Sequence, residues 1–173
     1  MARTDSFFIR ASTSTDTTNF AQTALDLGAY VDALGKSVLR IHNISVQYGT
    51  PMEVIGLPAA GNTSAVAFQL TTQSQSAMVD LTNRSVVSSG KLLLATSQAD
   101  ELLIANDHLD VGPQDFTDGY LIAVEQMYLG VDQRSTVTAQ VSVVLECTVY
   151  GRYVSFIETA ADDRKSIQQQ RGV

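Results

Sequence analysis

Val137-Thr138-Ala139-Gln140-Val141-Ser142-Val143-Val144-Leu145-Glu146-Cys147-Thr148-Val149 places Val, Ala, Val, Val, Leu, Cys and Val on odd positions and mostly hydroxyls, an amide and a carboxylate on even ones. Alternation with a period of two, held for thirteen residues, is the signature of a half-buried β-strand. At ~3.4 Å per residue such a strand is roughly 44 Å long, about twice the ordinary length. The chain that contains it is therefore expected to be all-β. Its odd face belongs to the core. Thr138, Gln140, Ser142, Glu146 and Thr148 form a lightly charged face suited to water or a neighbouring subunit, and Val144 interrupts that face with an apolar spot. Thr138, Gln140, Ser142 and Val144 are the candidate assembly interface.

Working outward, strand signals follow one another closely. They comprise Ser6 to Arg10, Leu25 to Val31, Ser37 to Tyr48, Ser64 to Thr72, Lys91 to Thr96, Tyr120 to Val131 and Arg152 to Phe156. In Ser37 to Tyr48 the apolar parity moves from Leu39 and Ile41 to Ile44, Val46 and Tyr48, which predicts a β-bulge near His42-Asn43. Met78 to Leu81 and Ser85 to Val87, flanking Thr82-Asn83-Arg84, are expected to form a hairpin. Ser97 to Ile104 has a helical look, with Ser97 as N-cap and Asp100 and Glu101 near its first turn. Tyr120 to Val131 is apolar on both faces and predicts a strand buried on both sides. Many strands and little helix make an antiparallel sandwich or barrel the leading class.

Three regions follow from composition. Residues 1–20 read as a flexible Ser/Thr-rich arm, 21–157 as the β-sandwich domain and 158–173 as a polar tail. At 173 residues one domain can bury roughly 70% of its unfolded surface and needs neither disulfide nor metal. Only 17% of residues are charged, against about 25% in an ordinary soluble domain, and uncharged polar groups cost less to cover with a neighbour than unpaired ions do.

Eleven Lys and Arg against eighteen Asp and Glu give a net charge of −7 with no basic run, so direct nucleic-acid binding is not expected. No apolar run approaches the eighteen residues of a transmembrane helix, and the N-terminus lacks a signal-peptide profile. Cys147, the single cysteine, falls on the apolar face and reads as a small buried hydrophobe.

Catalytic templates find little purchase. Gly35-Lys36-Ser37 has Tyr30 where a phosphate-binding loop needs its first glycine. Neither Gly-x-Ser-x-Gly nor Gly-x-Gly-x-x-Gly occurs. His42 and His108 are far apart and lack the His-x-His pair of a cupin-type metal site. No catalytic residue is assigned, and a non-enzymatic role is expected. The segment Asn106 to Gly119 is the one candidate site, because Asp107, Asp110, Asp115 and Asp118 offer the hard oxygen donors that calcium prefers. The EF-hand template fails there, with Gln114 and Phe116 in its first and third positions, and Asp and Asn are also ordinary loop formers.

The succession of short strands, the Ser/Thr-rich residues 1–20, the strand system at Tyr120 to Val131 and Val137 to Phe156, and the polar tail together resemble the small single jelly-roll capsid proteins of icosahedral viruses. The resemblance covers residues 5–157 as architecture and rests on no specific motif. It implies about eight antiparallel strands in two sheets, self-assembly into a shell, a place in a virion beside other virion proteins, and terminal arms exchanged between neighbours. The chain departs from genome-packaging members by lacking a basic arm. Two other readings stand beside it. One is a tail-tube or accessory virion protein, and the other is a monomeric carbohydrate-binding sandwich that uses tyrosines and a calcium loop.

Overall fold

The computed structural model describes residues 4–16, 19–32, 37–50, 58–97, 101–107, 118–134 and 139–151, apart from the side chains at 106 and 107. Among these residues there is no helix, and the strands are β1 (Phe7–Thr15), β2 (Ala21–Asp26), β3 (Ser37–Tyr48), β4 (Thr63–Thr71), β5 (Val86–Thr96), β6 (Leu102–Asp107), β7 (Tyr120–Ile122), β8 (Gln126–Arg134) and β9 (Ala139–Gly151). They form two antiparallel sheets, ordered β1-β9-β3-β7 and β2-β8-β4-β5-β6. With β6 set aside, the remaining eight strands in chain order occupy the positions 1-8-3-6 and 2-7-4-5. That is the order produced when a long antiparallel ribbon wraps into two Greek keys, the jelly roll. The ninth described strand, β6, is an addition at the end of the larger sheet, beside β5.

The alternation in β9 becomes the central strand of the smaller sheet. Ala139, Val141, Val143, Leu145 and Cys147 are all buried and meet Leu39, Ile41, Val66, Phe68, Leu70, Met127, Leu129 and Val131 in one core. Tyr48 meets Phe68 edge-on across this core, with ring centroids 6.0 Å apart. Because successive strand side chains point to opposite faces, β9 can be flanked by β1 and β3 and still present its even residues outward. The predicted bulge is present. The β3–β9 register shifts between Ile41 and Asn43, which moves the buried set from Leu39 and Ile41 to Ile44. Gly119 packs against this irregularity at φ +75°, where a Cβ would collide with the Ile41 carbonyl oxygen.

Several local expectations are corrected. The strand expected at Ser6 to Arg10 is present and runs on into the segment read as an arm, since Phe7–Thr15 pairs residue for residue with β9 from Phe7↔Cys147 to Thr15↔Ala139. The hydroxyl-rich composition of this segment belongs to a strand whose exposed face carries Ser12 and Ser14, while Thr13 and Thr15 are buried. At its end the buried Gln133 of β8 donates from Nε2 to the Thr15 carbonyl at 2.9 Å, tying the two sheets together. The Leu25 to Val31 run stops being strand at Asp26. Leu27 and Val31 still reach the core, through a turn in which the Tyr30 and Val31 amides donate to the Leu27 carbonyl.

The helical reading of Ser97 to Ile104 fails because Leu102–Asp107 pairs with β5, and the hydrogen bonds of that ladder outweigh the local capping signal. The Ser97 hydroxyl does accept from the Glu101 amide at 3.1 Å, but both residues flank strands and neither lies in a helix. Tyr120 to Val131 is two strands and not one. β7 lies in the smaller sheet and β8 in the larger, with the chain crossing between them at Ala123 to Glu125.

The expected hairpin around Thr82-Asn83-Arg84 is a loop instead. Residues 72–85 cross the outer face of the larger sheet and are pinned by Gln69. This fully buried amide donates to the Ala77 carbonyl at 3.2 Å and accepts from the Val79 amide at 2.8 Å. Phe20 lies on the same face, over Gly130, where a Cβ would approach its ring to 2.7 Å. The strand expected at Arg152 to Phe156 and the tail at 158–173 lie outside the described residues.

Candidate assembly surfaces

The outer face of the smaller sheet is the surface marked in advance. Gln140, Ser142 and Val144 are half-buried there, and Thr138 lies outside the described residues. Register supplies their neighbours. Ser12, Ser142 and Gln47 form one row, Arg10, Val144 and Ser45 the next, and Phe8, Glu146 and Asn43 a third. Phe8 stands 54% exposed, with the Arg10 guanidinium 5.7 Å from its ring centroid. The face is thus built of hydroxyls and amides around Val144 and Phe8, with a single positive and a single negative charge in these rows.

At the other end of the same face the side chains are larger. Arg40 lies over the Tyr150 ring at 4.3 Å and reaches Asp118 at 4.0 Å. His42, displaced by the bulge, shares a 2.8 Å hydrogen bond between its Nε2 and the Thr148 hydroxyl. Thr148, read from alternation as a surface residue, is buried by this packing. Leu121, opposite Arg40 on β7, is 43% exposed.

The larger sheet carries a feature that the sequence reading missed. On β6, Leu102, Leu103 and Ile104 are 46%, 63% and 60% exposed, and Ala105 is exposed beside them. Leu102 and Ile104 pair with Thr96 and Leu94 and so point to the core side, yet the opposing sheet has one strand fewer and does not reach over them. Leu103 and Ala105 pair with Ala95 and Leu93 on the outer side, in line with Ala65 of β4. Both faces of β6 are therefore apolar. The run was visible in the sequence, but apolar residues in a row read as core until the strand order is known.

Of the four aspartates proposed for calcium, Asp110 and Asp115 lie outside the described residues, as does the side chain of Asp107 at the end of β6. Asp118 is described. Its side chain is 82% exposed and faces the guanidinium of Arg40. Among the described residues no three His, Cys, Asp or Glu side chains come together as a metal site. Cys147 is free and buried, and its thiol is pushed up to about 12 by loss of solvation and, secondarily, by the neighbouring Glu146 carboxylate. A thiol so placed stays protonated and inert at neutral pH. Asp80 is held below the usual carboxylate range by the hydroxyl and amide of Thr82, as expected of an Asx turn in the loop crossing the larger sheet.

No family model matches the sequence, and no curated protein matches it. Among solved structures, the chain is similar to turnip yellow mosaic virus, with 12% identity, a TM-score of 0.30 and coverage of 86% of this chain and 82% of that one. It is also similar to the 60-mer BFDV capsid protein, with 11% identity, a TM-score of 0.29 and coverage of 86% and 95%. A Bacteroides thetaiotaomicron protein provisionally named a glycoside hydrolase aligns with 76% of this chain at 11% identity and a TM-score of 0.27, and the chain spans 41% of that protein. The jelly-roll assignment rests on the strand order of the two sheets.

Proposed function

We propose that this chain is a structural subunit of a virion, self-assembling into a capsid or shell through its sheet faces and edges, with no catalytic role of its own. The observation that carries the reading is the distribution of exposed apolar side chains. Phe8 and Leu121 stand out from the smaller sheet, and Leu102, Leu103 and Ile104 from the larger, on a chain with few charges. Exposed apolar groups that share a face or an edge mark surfaces meant to be covered. The hydroxyl and amide rows around Val144 supply the cheaply desolvated surround of such a contact, and copies of this chain or other virion proteins are the partners that would supply the cover. The net charge of −7 argues that the shell meets nucleic acid, if at all, through another component.

Light scattering combined with electron microscopy of the purified chain tests the reading across concentration and salt. Closed particles are expected. Tubes would favour the tail-tube alternative. A homogeneous monomer under all conditions, together with a calcium-dependent glycan interaction, would replace assembly with the binding-module reading.

A further inference from the structure

We propose that β6 is a self-association strand, pairing antiparallel with β6 of a second copy about a twofold axis centred on Leu103. The inference deepens the assembly reading and rests on it. Four observations support it. β6 ends the five-stranded sheet, and among the described residues no strand pairs with its outer edge, so its backbone donors and acceptors form an open template. Over Leu102-Leu103-Ile104-Ala105 it carries none of the devices that blunt such edges, having no Lys, no Pro and no bulge. The eight-strand jelly roll is complete without it, so the fold does not account for its presence. Finally, apolar side chains line both of its faces, as a strand continuing into a second sheet requires.

A second copy suits this edge for a reason of register. A twofold axis normal to the sheet keeps each residue on its own face, so only residues of the same parity can pair. Centring the axis on Ile104 would set Glu101 against Asp107 of the other copy, and like charges directly opposite are destabilising. Centring it on Leu103 sets Leu102 against Ile104, Glu101 against Ala105 and Leu103 against itself. This register places the exposed core-side pair of one copy beside that of the other and joins two five-stranded sheets into one of ten strands. Three partly exposed aliphatic side chains per copy fall well short of the ~800 Å² per partner of a standard stable interface. A single contact is accordingly weak, and it persists where many are repeated in one particle.

The test is disulfide trapping in the full chain. Leu103→Cys places the two new thiols opposite each other, with Cβ atoms ~5 Å apart. Ala105→Cys places them about four residues, or ~14 Å, apart along the strands. The buried Cys147 thiol gives the background in the unmodified chain. The expected result is a covalent dimer forming at least tenfold faster with Leu103→Cys than with Ala105→Cys, and at least tenfold weaker association of Leu103→Lys in sedimentation at an unchanged melting temperature. Equal trapping at the two positions, or particles formed undiminished by Leu103→Lys, would overturn the β6 contact and leave assembly standing. Failure of the unmodified chain to associate at any concentration would overturn both.

Discussion

The same substitution at two adjacent residues of β9 tests which way that strand faces. Val143 is 1% exposed in the core, whereas Val144 is half-buried on the outer face between Arg10 and Ser45. Val→Ala removes two methyl groups. At ~0.8 kcal/mol for each buried carbon the transfer loss at Val143 is about 1.6 kcal/mol. A residual cavity of about 50 Å³ at ~24 cal/mol per Å³ adds roughly 1 kcal/mol, since a central strand held on both sides collapses little. Val143→Ala should therefore cost about 2–3 kcal/mol, equivalent to a fall in Tm of roughly 4–12 °C for a domain of this size. Val144→Ala leaves no enclosed cavity and should cost about 0.5 kcal/mol or less in the isolated chain. Urea titrations followed by far-UV circular dichroism, at concentrations where the protein is unassociated, give both values. Equal costs, or a larger cost at Val144, would refute the facing of β9 and with it the core.

Three further outcomes follow from other contacts. Cys147 should resist thiol reagents in the native state and react on unfolding. Because its folded pKa lies above the unfolded one, its contribution is intact below about pH 9 and is lost as pH rises toward 12, so Cys147→Ser should flatten the alkaline limb of the stability profile. Gln69→Leu leaves the Ala77 carbonyl and Val79 amide without their buried partner, at a cost of about 1–3 kcal/mol, and limited trypsin digestion should then cut faster after Arg84 in the loop. Deleting residues 1–15 removes β1 and bares the edge of β9. Unfolding or aggregation is expected on gel filtration, whereas removal of residues 1–3 should leave the melting temperature within about 1–2 °C.

The face of a strand is a local property, and it was legible. A period of two assigned Val141, Val143, Leu145 and Cys147 to the core, and the parity change in Ser37 to Tyr48 located the bulge at His42. Partner choice is not local. The apolar start of β1 was legible as strand, but its hydroxyl-rich continuation from Ser12 to Thr15 read only as arm, because its own composition cannot say that β9 needs a second neighbour. Ser97 and Glu101 gave a helix-like start to residues that β5 recruits as a strand, and Tyr120 to Val131 looked continuous because apolar character does not reveal a crossing from one sheet to the other.

Of the surfaces, the even face of β9 could be named from its residues, and Gln140, Ser142 and Val144 lie there. Thr148 lies on that face too, but its burial could not be read, since the bulge turns His42 onto it. β6 could not be recognised at all. The sequence by itself determined that this is a β protein with a long half-buried strand, low charge and no catalytic template. Only the tertiary structure decided that eight strands close a jelly roll and a ninth remains at its edge. Side-chain direction repeats every two residues along a chain, whereas pairing and cover depend on strands distant in sequence, and the four-stranded sheet ends before it can cover the fifth strand opposite.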